Sequence, residues 1–266
     1  MSPIQKIFFI IFSTFALFLL PSVVSAEPIK FCREKLALDV QEVYCSRTFL
    51  FLEELDQLTN LKKLHLSNTE DAELENLTKH TGITHLVLEN TKELDLIFLA
   101  KLTNLKELDL RETKMTDLSP LAKLNNLTKL DLRETQVTDL SPLAKLNNLT
   151  HLVLEGNELK DISPLKNLKN LTHLDLNNTQ VKDITPLKNL KNLTHLNLSS
   201  TQVRDVSTLA NVNSIVDLGL GDLTMLDVRP LLSLTKLKYL DLQWTEVGNE
   251  QLKELKKAVP RLYIVE

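Results

Sequence analysis

The sequence predicts an α/β solenoid, a right-handed array of stacked repeats, on the strength of three features. Leucine returns every 22 residues without a gap, and the adjacent units 105–126 and 127–148 differ at only four positions. A Ser-Pro or Thr-Pro pair also recurs late in several units. Such a period is typical of units that bury their apolar side by stacking on neighbours. The register leucines are Leu64, Leu86, Leu108, Leu130, Leu152, Leu174, Leu196, Leu218 and Leu240, with Leu262 as a tenth.

One unit shows how each repeat is built. Leu130 and Leu132 alternate with polar residues, which predicts a short strand with both leucines pointing inward. Ser141 followed by Pro142 suits the N-cap and first position of a short helical turn. The unit therefore predicts a leucine-rich repeat, with a parallel concave sheet and short helical or 3-10 turns on the convex side.

The array divides the chain into four parts. We expect a secretory signal peptide at 1–26, an N-terminal cap at 27–60, nine 22-residue repeats at 61–258 and a C-terminal capping strand at 259–266. In the cap, the 22-residue register places Glu42 and Tyr44 where strand leucines would stand. An amphipathic helix is predicted at 248–258, because Leu252 and Leu255 share one face.

The first 26 residues have the composition of an export signal. Lys6 precedes an apolar run from Ile7 to Leu20, and Val24-Ser25-Ala26 forms a small-x-small cleavage site. The run is shorter than the ~20 residues that span a bilayer, so cleavage is preferred over an uncleaved anchor. We expect a secreted or periplasmic protein with no membrane span after cleavage.

The two cysteines lie together before the repeats. In an exported protein, Cys32 and Cys45 predict a disulfide that staples the N-terminal cap. No histidine precedes position 65, which argues against a metal site there.

Composition limits the classes of function. The formal net charge is −4 and the signs are interspersed, which argues against a nucleic-acid partner. With five glycines, Gly-rich phosphate loops are excluded over most of the chain. A flat sheet offers no water-excluding pocket. We expect a monomer that is not an enzyme and has no cofactor.

The repeat itself carries a family resemblance. The unit at 130–149 resembles the 22-residue repeats of the internalins and related bacterial leucine-rich repeat proteins, and the likeness covers about residues 50–264. The inward polar position is usually threonine, as at Thr113, and is asparagine at Asn157. The resemblance implies a bacterial surface or secreted protein that holds a protein partner on its concave face.

Histidine occupies one position of several repeats. His85, His151, His173 and His195 precede the register leucine, and the last three lie on consecutive repeats. Their spacing is compatible with a transition-metal site or an acid-sensitive patch. The third interpretation is a neutral surface that contacts a partner.

A series of aspartates lies nine residues after the register leucine. Aligned carboxylates can bind calcium, but an Asp before Leu-Ser-Pro can instead accept N–H bonds within the turn. The second, structural interpretation is preferred. The members are Asp95, Asp117, Asp139, Asp161, Asp183, Asp205 and Asp227.

The remaining candidates are charged or aromatic. Charges of opposite sign alternate on two neighbouring repeats. Tyr239 and Trp244 form an aromatic pair near the last full strand. This pair is interpreted as a binding anchor, with the alternative that Trp244 covers the C-terminal cap. Gly219-Leu220-Gly221 is interpreted as a bare spot on the sheet. The predicted partner-binding residues are Asp109, Arg111, Asp131, Arg133, His151, His173, Asp175, His195, Tyr239 and Trp244, with no catalytic and no metal-binding residue.

These patterns favour an exported module that recognises a protein partner through its concave sheet. Two alternatives remain open. The first is a structural or self-associating protein of the cell envelope without a dedicated ligand, and the second is a metal-responsive module resting on the histidines.

Overall fold

The computed structural model describes residues 29–31, 34–36, 39–46, 57–68, 74–91, 96–224 and 226–266. Eleven strands form one parallel sheet in chain order, and the predicted leucine-rich repeat solenoid is confirmed. A hairpin of β1 (Ile29–Phe31) and β2 (Glu34–Leu36) precedes it. The sheet strands are β3 (Glu42–Ser46), β4 (Lys63–Ser67), β5 (His85–Glu89), β6 (Glu107–Asp109), β7 (Lys129–Asp131), β8 (His151–Val153), β9 (His173–Asp175), β10 (His195–Asn197), β11 (Asp217–Gly219), β12 (Tyr239–Asp241) and β13 (Tyr263–Val265).

Short 3-10 helices form the opposite, convex wall. Four of those in the described residues begin at the Ser-Pro or Thr-Pro pairs, because proline suits the first turn of a helix. One α-helix, α1 (Asn249–Ala258), replaces the last of them, as the sequence predicts. The 3-10 segments in the described residues are Leu74–Lys79, Leu96–Lys101, Ser119–Lys123, Ser141–Leu143, Ser163–Asn167, Thr185–Asn189, Ser207–Asn211 and Arg229–Ser233.

The core lies between the two walls and consists largely of leucine. Leu152 is buried from the strand, and Leu165 is buried from the 3-10 side. The inward threonines lie in the same interior: the Thr113 hydroxyl donates to the carbonyl of Leu110 at 2.6 Å. Buried backbone carbonyls need hydrogen-bond donors, and the threonine hydroxyl supplies one in most repeats.

The register in the N-terminal cap differs from the sequence prediction. Val43 pairs with Leu64 and Cys45 pairs with Leu66, so these two residues fill the leucine positions and both are buried. Glu42 and Tyr44 face outward instead. The spacing here is 21 residues rather than 22, and a one-residue shift exchanges the two faces of a strand.

The last repeat is also irregular. Leu240 pairs with Ile264, so the tenth register position belongs to Ile264 and not to Leu262. The α-helix takes more residues than a 3-10 turn, which lengthens this unit by two. Leu252, Leu255 and Val259 pack against the core from this helix.

Several predictions lie outside the described residues. These are the signal peptide at 1–26 and Cys32, so export and the Cys32–Cys45 disulfide stay predictions. Among the described segments, no helix has the length and apolar character that a bilayer crossing requires.

Candidate functional site

The candidate site is the concave sheet face, formed by the outward side chains of β3–β13. In each strand the register leucine points inward and its two neighbours point outward, as the burial pattern of β9 illustrates. Histidines 151, 173 and 195 occupy the first outward position, and Asp109, Asp131 and Asp175 occupy the second. Parallel pairing without slippage aligns equivalent residues into rows along the face.

The charges on β4–β8 are largely paired with one another. Arg111 lies 3.1 Å from Asp109 and 3.5 Å from Glu89. Arg133 lies 2.9 Å from Asp131 and 3.7 Å from Glu155. Each predicted arginine is therefore an intramolecular partner of its neighbouring carboxylates.

The outward aspartates have a second, structural role that the sequence reasoning missed. The carboxylate of Asp109 accepts the N–H of Arg111 at 3.1 Å, and that of Asp131 accepts the N–H of Arg133 at 3.0 Å. Asp175 accepts the N–H of Asn177 at 2.9 Å. These are Asx turns, and the Asp-x-Arg and Asp-x-Asn spacings were the available signal.

Burial affects two of these carboxylates. Burial raises the pKa of Asp109, although the backbone N–H of Arg111 opposes the shift. Burial also raises the pKa of Asp175. The two sites differ in one respect: an arginine contacts Asp109, whereas Asn177 occupies the equivalent position beside Asp175.

The three consecutive histidines form a stacked column, named here the histidine column (His151, His173, His195). The ring centroids of His151 and His173 are 4.1 Å apart at 11°, and those of His173 and His195 are 4.1 Å apart at 8°. His85 lies outside the column, with Nε2 3.7 Å from the carboxylate of Glu107.

A threonine orients each ring of the column. Thr172 Oγ1 lies 2.8 Å from Nδ1 of His173 and donates its single proton to the carbonyl of Thr150 at 3.0 Å. The hydroxyl must therefore accept from the ring, which places the imidazole proton on Nδ1 and leaves Nε2 unprotonated. Thr150 and Thr194 repeat the arrangement. The recurring Thr-His pair was the signal in the sequence.

The column favours neutral rings. Burial, followed by the flanking His151 and His195, lowers the pKa of His173 to about 4. Parallel rings also point their free nitrogens in one direction, whereas metal ligands must converge on a point ~2 Å away. Within the described ranges, no group of three His, Cys, Asp or Glu could hold a metal ion.

Two shallow depressions lie along the face. The first, named here the C-terminal groove, has a volume of about 390 Å³ and contains the histidine column together with Asp175 and Tyr239. Asn197, Ser199, Asp217 and Asp241 complete its polar lining. The second has a volume of about 310 Å³ and lies over Asp109, Lys129 and Asp131. Most of the predicted residues thus divide between two sites that share His151, whereas Arg111, Arg133 and Trp244 line neither.

The expected bare spot at Gly219 is wrong. Gly219 and Gly221 are buried, because the side chains of Asn197 and Ser199 on the preceding repeat lie over them. Ser199 Oγ accepts the N–H of Gly221 at 3.1 Å. The glycines admit their neighbours' side chains rather than leave the backbone open.

Aromatic side chains cluster at the C-terminal end. Tyr239 stacks on Tyr263 with ring centroids 5.9 Å apart. Burial and then the charges of Asp241 and Asp217 raise the pKa of Tyr239. Trp244 is 87% exposed, so the interpretation of this residue as a cover for the cap is wrong.

Trp244 lies in the turn after β12, at a position where every repeat from Asn68 onward has a left-handed backbone. Its φ is 61°, and the equivalent position holds asparagine, glycine, serine, aspartate or glutamate in the other repeats. Asparagine and glycine tolerate this region, whereas a bulky residue there is strained. The chain therefore keeps a large, exposed aromatic side chain at a backbone position that disfavours it.

The aspartates on the convex side are structural, as preferred from the sequence. Asp139 accepts both the N–H and the hydroxyl of Ser141 at 2.8 Å, so the capping role belongs to Asp139 rather than to the serine. Asp227 accepts the N–H of Arg229 at 3.0 Å. The same arrangement recurs at Asp117, Asp161, Asp183 and Asp205, and Asp95 lies outside the described residues.

The fold and this face define a leucine-rich repeat protein, a class of protein-interaction modules. A family model for two-copy leucine-rich repeats matches residues 103–145, 125–167 and 169–211, and a single-repeat model matches 233–255. The comparison with curated proteins gave no match.

Solved structures place the chain within a family. Internalin C2 of Listeria monocytogenes is 34% identical, with 74% of this chain and 83% of that chain covered and a TM-score of 0.64. An internalin, inlF, of the same species is 23% identical, covering 87% and 83% with a TM-score of 0.69. A leucine-rich repeat protein of Leptospira interrogans is 21% identical, covering 80% and 62% with a TM-score of 0.71. The chain belongs to the internalin-like leucine-rich repeat proteins of bacteria.

Proposed function

We propose that this protein is an exported recognition module that binds a protein partner through its concave sheet face. The observation that carries the proposal is Trp244, a tryptophan that is 87% exposed at a turn position with φ of 61°. An exposed aromatic side chain in a disfavoured conformation supports a role in binding, because it contributes little packing to the fold.

The C-terminal groove gives a second line of support. It combines a tyrosine, three imidazoles and polar side chains over about 390 Å³. Tyrosine and tryptophan are enriched where proteins bind one another. A plant receptor with this fold, covering 85% of this chain and 39% of that chain at 16% identity and a TM-score of 0.66, was solved in complex with RGF2.

Export is part of the proposal and has its own test. The apolar run and Val24-Ser25-Ala26 lead us to propose cleavage after Ala26. Mass spectrometry of the protein recovered outside the cytoplasm would then give an N-terminus at Glu27. Recovery of an intact N-terminus from the cytoplasm would oppose export without affecting the binding face.

The binding test compares two quadruple alanine variants of the full chain. Envelope and host-cell extracts are passed over each immobilised protein, and bound proteins are identified. The concave variant carries His151→Ala, His173→Ala, Arg133→Ala and Tyr239→Ala. The convex control replaces exposed side chains of the 3-10 helices, Lys123→Ala, Lys145→Ala, Lys166→Ala and Lys188→Ala.

The proposal expects a partner that the wild-type protein and the convex control retain and the concave variant loses. Loss from the convex control, with retention by the concave variant, would assign recognition to the other wall. Thermal unfolding of each variant shows that loss of binding is not loss of fold.

A second candidate is self-association. Strand β13 (Tyr263–Val265) ends the sheet, and within the described residues its outer edge has no strand partner. An open edge can pair with another chain. Light scattering of the protein alone distinguishes the candidates, since assembly that grows with concentration favours self-association and a constant monomer mass opposes it.

A further inference from the structure

The charge on the concave face is distributed unevenly. On β3–β8 each cationic side chain has a carboxylate beside it: Lys63 lies 2.8 Å from Glu42, and Lys129 lies 2.8 Å from Glu107. The pairs of Arg111 and Arg133 continue the pattern as far as Glu155. On this half of the face every one of these cations is therefore already paired with a carboxylate.

The C-terminal groove lacks that compensation. Asp175, Asp217 and Asp241 line it, and none forms an ion pair with another described residue. The outward strand positions of β9–β12 carry histidine, aspartate, asparagine, glycine and tyrosine, but neither lysine nor arginine. Three carboxylates therefore share one depression without a cation of the chain's own.

Asp131 and Asp175 make the contrast direct. Both accept the N–H two residues later. At Asp131 that later residue is Arg133, whose guanidinium lies 2.9 Å from the carboxylate, whereas at Asp175 it is Asn177. Burial raises the pKa of Asp175 and outweighs the side chain of Asn197 and the charge of Arg133, which favour the ionised form. A partly buried carboxylate without a cation in contact is costly, and a cation from outside would relieve the cost at Asp175.

The aromatic lining favours the same kind of ligand. Tyr239 lies in the groove, paired with Asp217 on the neighbouring strand and two residues before Asp241 on its own strand, and its stacking partner Tyr263 is 65% exposed. Guanidinium and ammonium groups bind to aromatic faces and pair with carboxylates at once. Burial lowers the pKa of His151 and His173, so these two rings do not present a positive charge that would repel a cation.

We propose that the C-terminal groove binds a basic peptide segment of the partner, with arginine or lysine side chains placed between the carboxylates of Asp175, Asp217 and Asp241 and the ring of Tyr239. This inference rests on the proposed function and specifies the chemistry of the ligand.

The test uses the full chain and three defined peptides: acetylated Arg-Ser-Arg-Ser-Arg-Ser, its glutamate counterpart and an all-serine control. The groove variant is Asp217→Asn with Asp241→Asn. Asparagine preserves the turn at position 241, because Asn197 already accepts the N–H of Ser199 at the equivalent position. The matched control is Glu158→Gln with Glu254→Gln, which changes the net charge equally at exposed sites outside the groove.

We expect the arginine peptide to bind the wild type and the matched control alike and to bind the groove variant at least tenfold more weakly. Binding should weaken as salt rises. Resonances of the Tyr239 and His195 rings should shift on titration of the wild type, a readout that needs no variant.

Equal affinity for the groove variant, equal binding of the glutamate or serine peptide, or no binding of the arginine peptide would overturn the inference. The same holds if a chito-oligosaccharide shifts the Tyr239 resonances and the arginine peptide does not. Should the concave alanine variant lose a partner that the groove variant retains, the proposed function would stand and the basic ligand would be wrong.

Discussion

The imidazole of His173 stacks on that of His195 with ring centroids 4.1 Å apart and planes 8° from parallel. His151 covers the other side of His173 at the same distance. The central ring is thus enclosed by two others that would repel its proton. Burial and the two flanking rings keep the His173 ring neutral at physiological pH.

Acid should destabilise the fold through His173. Its folded pKa is about 4, below the ~6.5 of an unfolded histidine. Between these values the unfolded chain binds more protons, so the free energy of unfolding decreases as the pH falls from about 6.5 to 4. Melting temperatures at pH 7.5 and 4.5, compared with those of His173→Gln, measure this loss, which should be smaller in the variant.

The partly buried aspartates change the free energy of unfolding in the opposite direction as the pH falls. Their effect is the same in the wild type and in His173→Gln, so it does not alter the comparison. Burial raises the pKa of Asp109 and Asp175, so their protonation in acid favours the folded state and is common to both proteins. A proton NMR titration of the His173 ring checks the histidine directly. A midpoint at or above 6.5 would contradict the stacked arrangement.

Thr172→Val should release the ring of His173. The substitution removes the hydroxyl that accepts from Nδ1 and donates to the carbonyl of Thr150. The expected cost is about 1 kcal/mol for a part-buried hydrogen bond. Nitrogen NMR should report the Nδ1–H tautomer in the wild type and a mixture in the variant.

Thr128→Val is the matched control for this tautomer. Thr128 makes the same bond to a carbonyl, that of Lys106 at 2.9 Å, but Lys129 rather than a histidine follows it. Its stability loss should be similar and the His173 tautomer unchanged. A wild-type ring protonated on Nε2 would refute the assigned orientation.

Trp244→Asn should raise stability and lower partner affinity. Asparagine tolerates the left-handed backbone at this turn, where φ is 61°, and relief of strain is worth roughly 1 kcal/mol. Glu134→Asn, at the equivalent turn with φ of 52°, should gain stability without losing the partner. Denaturant unfolding measures the stability of both variants, and a binding assay measures their affinity for the partner. If Trp244→Asn binds as tightly as the wild type, Trp244 is not part of the interface.

Asp139→Ala should lower the melting temperature more than Asp139→Asn. Alanine loses both bonds to Ser141, whereas asparagine keeps an oxygen for the N–H. The side-chain and backbone bonds to Ser141 lower the pKa of Asp139, so its contribution is present at neutral pH and is lost as the pH falls through the folded pKa. If the two substitutions had equal effects on the melting temperature, the carboxylate would not be a cap.

The fold could be predicted from the repeat because each unit must present its leucines to the same interior. The prediction was wrong where the period changes. Val43 and Cys45 take the leucine positions one residue later than the 22-residue register predicts, and Ile264 replaces Leu262 because α1 is longer than the turn that it replaces. A fixed register cannot reveal an insertion or deletion at either end.

The site could be predicted only in part. Row positions follow from the repeat, so the histidine column was foreseeable, but the protonation imposed by Thr172 depends on a bond to the preceding strand. The charge pattern of Arg111 and Arg133 left open pairing within the chain or with a partner, and the structure pairs them with Asp109 and Asp131. Which side chains pair between neighbouring repeats depends on distances that a sequence does not contain.

The central claim, recognition through the concave sheet face, is tested most directly by hydrogen–deuterium exchange on the wild-type protein with and without the partner it captures. The account predicts slower exchange in β8–β12 and in the turn that holds Trp244, with no change in the 3-10 helices of the convex wall. Protection confined to Ser119–Lys123, Ser163–Asn167 and the other convex segments would contradict it.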